Sequence, residues 1–181
     1  MRRAIRADGI VRPLVPLLSW LTARYIAKQR RRLLSHAEPI ATRFCSEFRE
    51  FFPPEILAET RIAHASVPNP RFYSLVKLLG IHGAIEMSAI GAITLVDVIA
   101  YAEKMSRRTL FHELVHAVQY RVLGLRRFAR LYVTGFLNGG GYEGIPLERQ
   151  AYELEERFSR NPKSPFSVEI DVRERLRAGR L

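Results

Sequence analysis

The chain has 181 residues, of which 48% are hydrophobic and 26% are charged, and its formal net charge is +11. This length suits one domain with a sizeable core, and the composition excludes a chain that is disordered throughout. The single cysteine excludes an intramolecular disulfide and a cysteine-rich metal site, and it favours a reducing compartment such as the cytoplasm.

The positive charge is concentrated near the N-terminus. Residues 1–43 hold nine arginines and one lysine against two carboxylates, a net charge of +8, which leaves only +3 for the rest of the chain. Because the basic residues belong to one segment, we do not expect the domain as a whole to bind nucleic acid. We predict a basic amphipathic helical extension at residues 1–35, followed by the main domain at residues 36–181.

The helix of this extension is predicted at residues 14–35. Its uncharged beginning, PLVPLLSWLTA, is too short to span a bilayer, and the basic run that follows at once argues against a signal peptide. Arg24, Lys28 and Arg31 share one helical face. Two interpretations stay open: the helix lies on an anionic membrane surface, or it covers the core with a solvated outer face.

The next part of the chain is predicted to hold two helices and two strands. A helix at residues 37–51 ends before two prolines and presents an aromatic stripe, which indicates core packing: Phe44, Phe48, Phe51 and Phe52. A strand follows at residues 59–67, where apolar and polar residues alternate. Asn69 and Gly80 bound a short helix, and the β-branched residues at 92–101 predict another strand.

The remainder of the chain is predicted to be helical. Ser106 can cap a helix that ends at Gly124, and a second helix runs over residues 126–137. A third helix begins at Pro146, after the glycine-rich loop NGGGYEG, and a last one covers residues 168–178. Together these elements predict a helix-rich α+β fold with a small sheet beside the helix that Ser106 caps.

The sequence HELVH carries the clearest chemical signal. On a helix, His112 and His116 lie one above the other on the same face, so both imidazoles can bind one ion, and zinc accepts such ligands. Glu113 lies at the edge of that face, where it can deprotonate a water molecule held by the ion without binding the ion itself. By chance, the pattern occurs in roughly one chain of this length in a hundred. The alternative, two core histidines with satisfied hydrogen bonds, stays open.

A catalytic zinc ion needs a third protein ligand and one open position. A third histidine six residues after the second is excluded, because Val122 stands there. The remaining candidates are downstream carboxylates: Glu143, Glu148, Glu153, Glu155 and Glu156. Glu148 is the best of them, because it falls in the first turn of the helix that begins at Pro146, after a loop that lets the chain fold back. The three carboxylates after it are crowded with other charges, which is typical of a solvated helix face.

The segments HELVHAVQY and GGGYEGIPLERQAY together resemble the zinc metallopeptidases of the gluzincin type, and most closely small bacterial zincin-like proteins. The resemblance covers about residues 57–160. It implies a zincin-like domain in which His112, His116 and Glu148 bind one zinc ion per chain and Glu113 is the general base.

The resemblance also implies that the strand at 92–101 borders the cleft, where it could pair with an extended substrate. One position departs from the family pattern. Gluzincins often carry an aspartate four residues after the glutamate ligand, where it orients a metal-bound histidine, and this chain has Tyr152 there. The hydroxyl of Tyr152 could take over that role.

Peptide hydrolysis also needs a hydrogen-bond donor for the negative charge that develops on the carbonyl oxygen. Tyr142 ends the NGGGY segment and could close over a substrate, and Tyr152 shares a helix face with Glu148. Either hydroxyl could serve as the donor, and either side chain could instead be a packing residue.

The sequence therefore predicts a zinc-dependent metallopeptidase that acts on a peptide or protein substrate, in the cytoplasm or at the membrane surface. Two alternatives stay open. The first is a non-catalytic protein that uses the zincin fold for binding or scaffolding. The second is a basic membrane-peripheral or nucleic-acid-binding module that depends on residues 1–43.

Overall fold

The structure is a computed structural model, and it describes residues 12–40, 47–70, 91–102, 104–139 and 141–181. Its helices are α1 (Val15–Leu34), α2 (Pro54–Glu59), α3 (Arg107–Leu123), α4 (Leu125–Asn138), α5 (Pro146–Arg160) and α6 (Val168–Arg177). Its strands are β1 (Glu38–Pro39), β2 (Arg61–His64), β3 (Ala92–Leu95) and β4 (Val98–Tyr101). These elements confirm the predicted α+β fold.

The strands form one mixed sheet in the order β1-β2-β4-β3. Strands β2 and β4 are parallel, whereas β1 pairs with β2 and β3 pairs with β4 in the antiparallel sense. Strand β3 therefore lies at one edge of the described sheet, and it packs against α3. This arrangement places a short edge strand directly beside the helix that carries the two histidines.

The prediction of one strand at 92–101 is wrong, because the segment is a hairpin. Strands β3 and β4 turn back on each other at Val96 and Asp97, and Val96 adopts a φ of 68°. A β-branched residue rarely takes this left-handed conformation, and the segment contains no glycine or asparagine that would have indicated a turn. The guanidinium group of Arg30 on α1 pairs with both carboxylate oxygens of Asp97 and holds the turn from outside.

The predicted helix at 37–51 is wrong at its beginning. Residues Glu38 and Pro39 form β1 instead, where they pair with Ile62 and Arg61 of β2. Proline is tolerated in an edge strand because it needs no partner for a backbone N–H. The following residues, 41–46, with Phe44, lie outside the described part of the chain. The beginning of the predicted helix, at Glu38 and Pro39, is thus set by pairing with a distant strand.

Two further segments differ from prediction in extent. The predicted strand at 59–67 is shorter and spans only Arg61–His64. The two prolines expected to end a helix also begin one, because α2 has Pro54 in its first turn, where the missing N–H costs nothing. The short helix predicted between Asn69 and Gly80 lies almost entirely outside the described residues.

Helix α3 is the centre of the domain. The hydroxyl of Ser106 caps it by accepting a hydrogen bond from the N–H of Thr109, and Gly124 ends it, as predicted. Every residue from Leu110 to Tyr120 is buried, because β3, α4, α5 and α6 all pack against α3. A helix that is covered on all sides is expected to carry apolar residues on every face. Each polar residue within it therefore needs a buried hydrogen-bond partner.

The predicted aromatic stripe is part of the core in the described residues. Phe48, Phe51 and Phe52 are almost fully buried and meet Phe111 of α3 and Phe158 of α5. The rings of Phe111 and Phe158 are stacked with their centroids 4.3 Å apart. This cluster ties α3 to α5, so the two helices that carry the candidate metal ligands are fixed relative to each other.

Helix α1 packs on the domain along α4 and the sheet. Ile26 and Leu33 are buried in the same cluster as sheet residues, while Leu18 packs with Val133 of α4. The helix itself is confirmed, and the boundary at residue 35 stays a prediction. In the part of the chain that the structure covers, no helix combines the length and the apolar character that crossing a membrane requires.

Candidate metal centre

Three buried side chains converge between α3 and α5. The Nε2 atoms of His112 and His116 are 3.1 Å apart. Oε2 of Glu148 lies 3.4 Å from Nε2 of His112 and 3.3 Å from Nε2 of His116. Among the described residues, these three form a group whose ligand atoms come together closely enough to hold a metal ion. The structure thus brings together the two histidines and the glutamate that the sequence singled out as metal ligands.

The spacing of these atoms can be compared with that of a real metal site. Ligand atoms about 2.0–2.1 Å from a common tetrahedral centre are separated from one another by about 3.3–3.4 Å. The three observed separations of 3.1, 3.3 and 3.4 Å agree with this value to within 0.3 Å. The three residues therefore fit one small metal ion without any rearrangement of α3 or α5.

Hydrogen bonds fix which nitrogen of His116 faces the other ligands. The carboxylate of Asp171 can only accept, so the amide that contacts it at 2.7 Å must be Nε2 of Gln150. Oε1 of Gln150 then accepts from Nε2 of Gln119, which also donates to the carbonyl of Leu147. This leaves Oε1 of Gln119, 2.8 Å from Nδ1 of His116, as an acceptor. Nδ1 of His116 is therefore protonated, and Nε2 presents a lone pair.

His112 is oriented in the same sense by Glu155. Oε2 of Glu155 lies 3.0 Å from Nδ1 of His112, and its other oxygen pairs with Arg108. The prediction that Glu155 belongs to a solvated face is wrong, because the side chain is buried on the side of α5 that contacts α3. A carboxylate accepts from Nδ1–H of His112, so Nε2 of this histidine also points its lone pair at the centre.

The centre thus collects three acceptors: two imidazole lone pairs and one carboxylate oxygen. Three acceptors within 3.4 Å repel one another unless a cation, either a proton or a metal ion, lies among them. Burial strengthens this requirement, since no water layer screens the groups. The alternative of two satisfied core histidines requires that a proton, rather than a metal ion, lies between each Nε2 and the carboxylate of Glu148.

Protonation of the centre follows from the same contacts. Burial lowers the pKa of His112, but hydrogen bonds to Glu148 and Glu155 outweigh it and raise this pKa to about 9. Burial raises the pKa of Glu148, but the positive charge of His116 and the hydrogen-bond contacts with both histidines bring it well below its ordinary value. In the absence of a metal ion, a proton shared with the carboxylate takes the place of the cation, and a metal ion must displace it.

Glu113 lies beside the centre but is not one of the converging ligands. Its side chain is buried, and Oε2 lies 2.6 Å from the hydroxyl of Thr94 on β3. Burial raises the pKa of Glu113, and the charges of His116 and His112 offset only part of this rise. A carboxylate with a raised pKa, held in place by an edge strand, accepts a proton more readily than an ordinary glutamate does.

Both candidate tyrosines lie at the centre, but they contact different residues there. The hydroxyl of Tyr142 donates to Oε2 of Glu148 at 2.5 Å. The side chain of Tyr152 is about half exposed, and its ring lies 4.5 Å from the ring of His112. Glu155, rather than Tyr152, contacts Nδ1 of His112, so the suggested orienting role of the Tyr152 hydroxyl is replaced by ring packing.

Sequence reasoning missed several of the residues around the centre. Thr94, Gln119, Gln150 and Glu155 were not predicted to orient the residues of the centre, although two of them carried a signal. Gln119 is three residues after His116, within reach on the same helical face. Glu155 is seven residues after Glu148, which is two helical turns and again the same face. The remaining candidate carboxylates stay away from the centre: Glu143 is exposed, Glu153 pairs with Arg175, and Glu156 pairs with Arg160.

The loop before α5 places Glu148 through the close approach of two glycines. A Cβ atom on Gly144 would lie 2.4 Å from the Cα of Gly139, and one on Gly139 would lie 2.5 Å from the Cα of Gly144. Because no side chain fits between these two backbone segments, the chain can reverse sharply after α4 and start α5 at Pro146. The predicted sharp return is confirmed, and Glu148 falls in the first turn of α5.

We expect Gly144→Ala to destabilise the domain by about 1–3 kcal/mol, because the added methyl group has to push two backbone segments apart. Denaturant-induced unfolding of the metal-free protein measures this change in the free energy of unfolding. Gly91→Ala is the matched control, since a Cβ atom there meets nothing within 4 Å. Equal stability of the two variants would show that the loop does not depend on the glycine contact.

Comparisons with known proteins add no family to this description. No protein-family model matches the chain, and neither a curated protein nor a solved structure is similar to it. The conclusions on function therefore depend on the residues of the centre and their geometry.

Proposed function

We propose that the protein is a zinc-dependent metallopeptidase of the gluzincin type, which hydrolyses peptide bonds in a peptide or protein substrate. The observation that supports this proposal is the centre itself. Nε2 of His112, Nε2 of His116 and Oε2 of Glu148 converge at separations suited to one tetrahedral ion, and the buried carboxylate of Glu113 lies beside them. This is the combination of ligands and base that hydrolysis by activated water requires.

The donor set supports zinc over calcium and magnesium. Calcium and magnesium prefer oxygen ligands throughout, whereas two imidazoles and one carboxylate are a donor set of catalytic zinc. The orienting hydrogen bonds from Gln119 and Glu155 to the two histidines are also usual around such an ion. When bound, zinc would act as a Lewis acid that polarises a carbonyl group and makes water acidic enough to lose a proton near neutral pH.

The roles of the other residues follow from their contacts. Glu113 accepts the proton of the attacking water and returns it to the leaving amine, and the hydroxyl of Thr94 holds its carboxylate in position. Tyr142 and Tyr152 are the candidate donors to the developing oxyanion. Tyr142 can act only after its hydroxyl has turned away from Glu148, whereas the half-exposed Tyr152 already meets solvent.

Metal analysis combined with an activity assay tests the proposal. The protein is purified without added metal, its zinc content is measured by elemental analysis, and hydrolysis of an unfolded protein such as casein is followed with and without a zinc chelator. We expect about one zinc ion per chain and hydrolysis that stops with the chelator and returns with zinc. Stoichiometric zinc without hydrolysis would favour the binding or scaffold protein, and a chain that takes up no zinc would remove the metallopeptidase and leave a scaffold protein that needs no metal ion.

We expect Glu155→Gln to weaken zinc binding by about 10–100-fold, because an amide replaces the carboxylate that accepts from Nδ1 of His112. Competition with a fluorescent zinc chelator measures the change. Glu156→Gln is the control, since this neighbouring residue pairs with Arg160 on the exposed side of α5. If the two variants bind zinc equally well, the contact between Glu155 and His112 has no part in holding the ion.

A further inference from the structure

Helices α1 and α4 form a pair that carries positive charge and no carboxylate. Helix α1 contains four arginines and one lysine, helix α4 contains three arginines, and neither contains aspartate or glutamate. The two helices pack along each other. Within the described part of the chain, Arg30 is held by a carboxylate through its ion pair with Asp97. The pair therefore presents a basic surface, which we call the α1–α4 face.

The charge on this face is segregated along both helices. The first nine residues of α1, VPLLSWLTA, are uncharged, and so are the last eight residues of α4, LYVTGFLN. These two uncharged halves lie together, since Leu18 packs with Val133 and the neighbouring Leu14 and Leu137 join them. The basic residues of α4 are confined to its beginning, at Arg126, Arg127 and Arg130, where all three are exposed.

The outer stripe of α1 shows the same division at the level of single side chains. Leu17 and Trp20 are 52% and 54% exposed, although both are large and apolar. The guanidinium group of Arg24 lies 4.8 Å from the ring centroid of Trp20, and Lys28 and Arg31 continue the stripe at helical spacing in exposed positions. An apolar end that exposes a tryptophan, followed by a basic end, suits contact with a membrane interface, where tryptophan is enriched and basic residues meet anionic headgroups.

We propose that the α1–α4 face docks on an anionic phospholipid surface. The uncharged end, with Leu17 and Trp20, enters the interface between headgroups and acyl chains, and the basic end contacts the lipid phosphates and carboxylates. A nucleic acid would also attract the basic residues, but it gives no reason to leave Leu17 and Trp20 in water. This proposal is independent of the proposed function of the metal centre, which lies between α3 and α5.

Vesicle flotation of the full chain tests the proposal. The vesicles contain phosphatidylcholine and phosphatidylserine in equal parts, or phosphatidylcholine alone, and we expect binding to the first kind only. Leu17→Ser with Trp20→Ser should weaken binding about tenfold or more, since two apolar side chains no longer leave water. Arg24→Gln, Lys28→Gln and Arg31→Gln together should weaken it roughly a hundredfold, at about fivefold for each charge.

Matched controls separate this face from nonspecific effects. Ile170→Ser removes an equally exposed apolar side chain on α6, and Arg160→Gln with Arg173→Gln and Arg177→Gln removes three charges from α5 and α6. Both controls should bind vesicles as the unchanged chain does, and thermal unfolding checks that every variant is folded. Equal losses in a control and its partner would overturn the proposal. A second outcome would also overturn it: the chain binds both duplex DNA and vesicles, and this binding depends on the three charges but not on Leu17 and Trp20.

Discussion

Glu113→Gln should keep the zinc ion and lose about two to four orders of magnitude in the rate of peptide hydrolysis. A general base contributes about 10²–10⁴ to such a rate, and an amide cannot take up the proton of the attacking water. Zinc binding should not change, because Glu113 is not among the three residues whose ligand atoms converge. The substitution is also nearly isosteric, and the new amide oxygen can still accept from Thr94 at the position of Oε2.

Two measurements on the same preparation check this prediction: zinc per chain by elemental analysis, and the initial rate of hydrolysis of one substrate. Glu143→Gln provides the control, since this carboxylate is exposed in the turn before α5 and is not among the three converging residues. If zinc is lost along with the rate, Glu113 is a ligand. If the rate is unchanged, Glu113 is not the base. If no other variant of the centre changes the rate either, the result favours the scaffold protein.

The parts of the fold that were predictable are those whose ends are marked in the sequence by a capping residue or a glycine. Ser106 and Gly124 bound α3 through a side-chain cap and a glycine with a φ of 73°, and both signals can be recognised from the residue types alone. The turn at Val96 has no such signal, because its conformation is imposed by the hairpin and by the ion pair of Arg30 with Asp97. Strand β1 was likewise missed, since its identity depends on β2, which is more than twenty residues away.

The candidate centre divides in the same way. His112, Glu113 and His116 follow from spacing on one helix, and Glu148 follows from a loop and a helix start. Residues that hydrogen-bond to these side chains, and are not candidate ligands themselves, have no comparable sequence pattern. Glu155 looked like its charged neighbours Glu153 and Glu156, and only the rotation of α5 against α3 buries one of the three and exposes the other two.

Glu148→Ala should weaken zinc binding by more than a hundredfold, whereas Glu153→Ala and Glu156→Ala should leave it almost unchanged. Loss of an orienting residue around a metal ion typically weakens binding by about 10–100-fold, so the loss of a ligand should exceed this range. Glu148 is buried between the two imidazoles, while Glu153 and Glu156 pair with arginines on the exposed surface. The three variants thus differ in position and not in the side chain that is removed.

Competition with a chelator of known zinc affinity gives the three dissociation constants on one scale, and a zinc-induced rise in the unfolding temperature gives an independent ranking. Glu148→Gln separates the loss of a ligand from the loss of packing, since it fills the same volume with a poorer ligand and should fall between the unchanged chain and Glu148→Ala. If all of these variants bind zinc alike, Glu148 is not the third ligand. The gluzincin assignment would then lose its main support, because a zinc ion held by His112 and His116 alone lacks the negative charge that this carboxylate supplies.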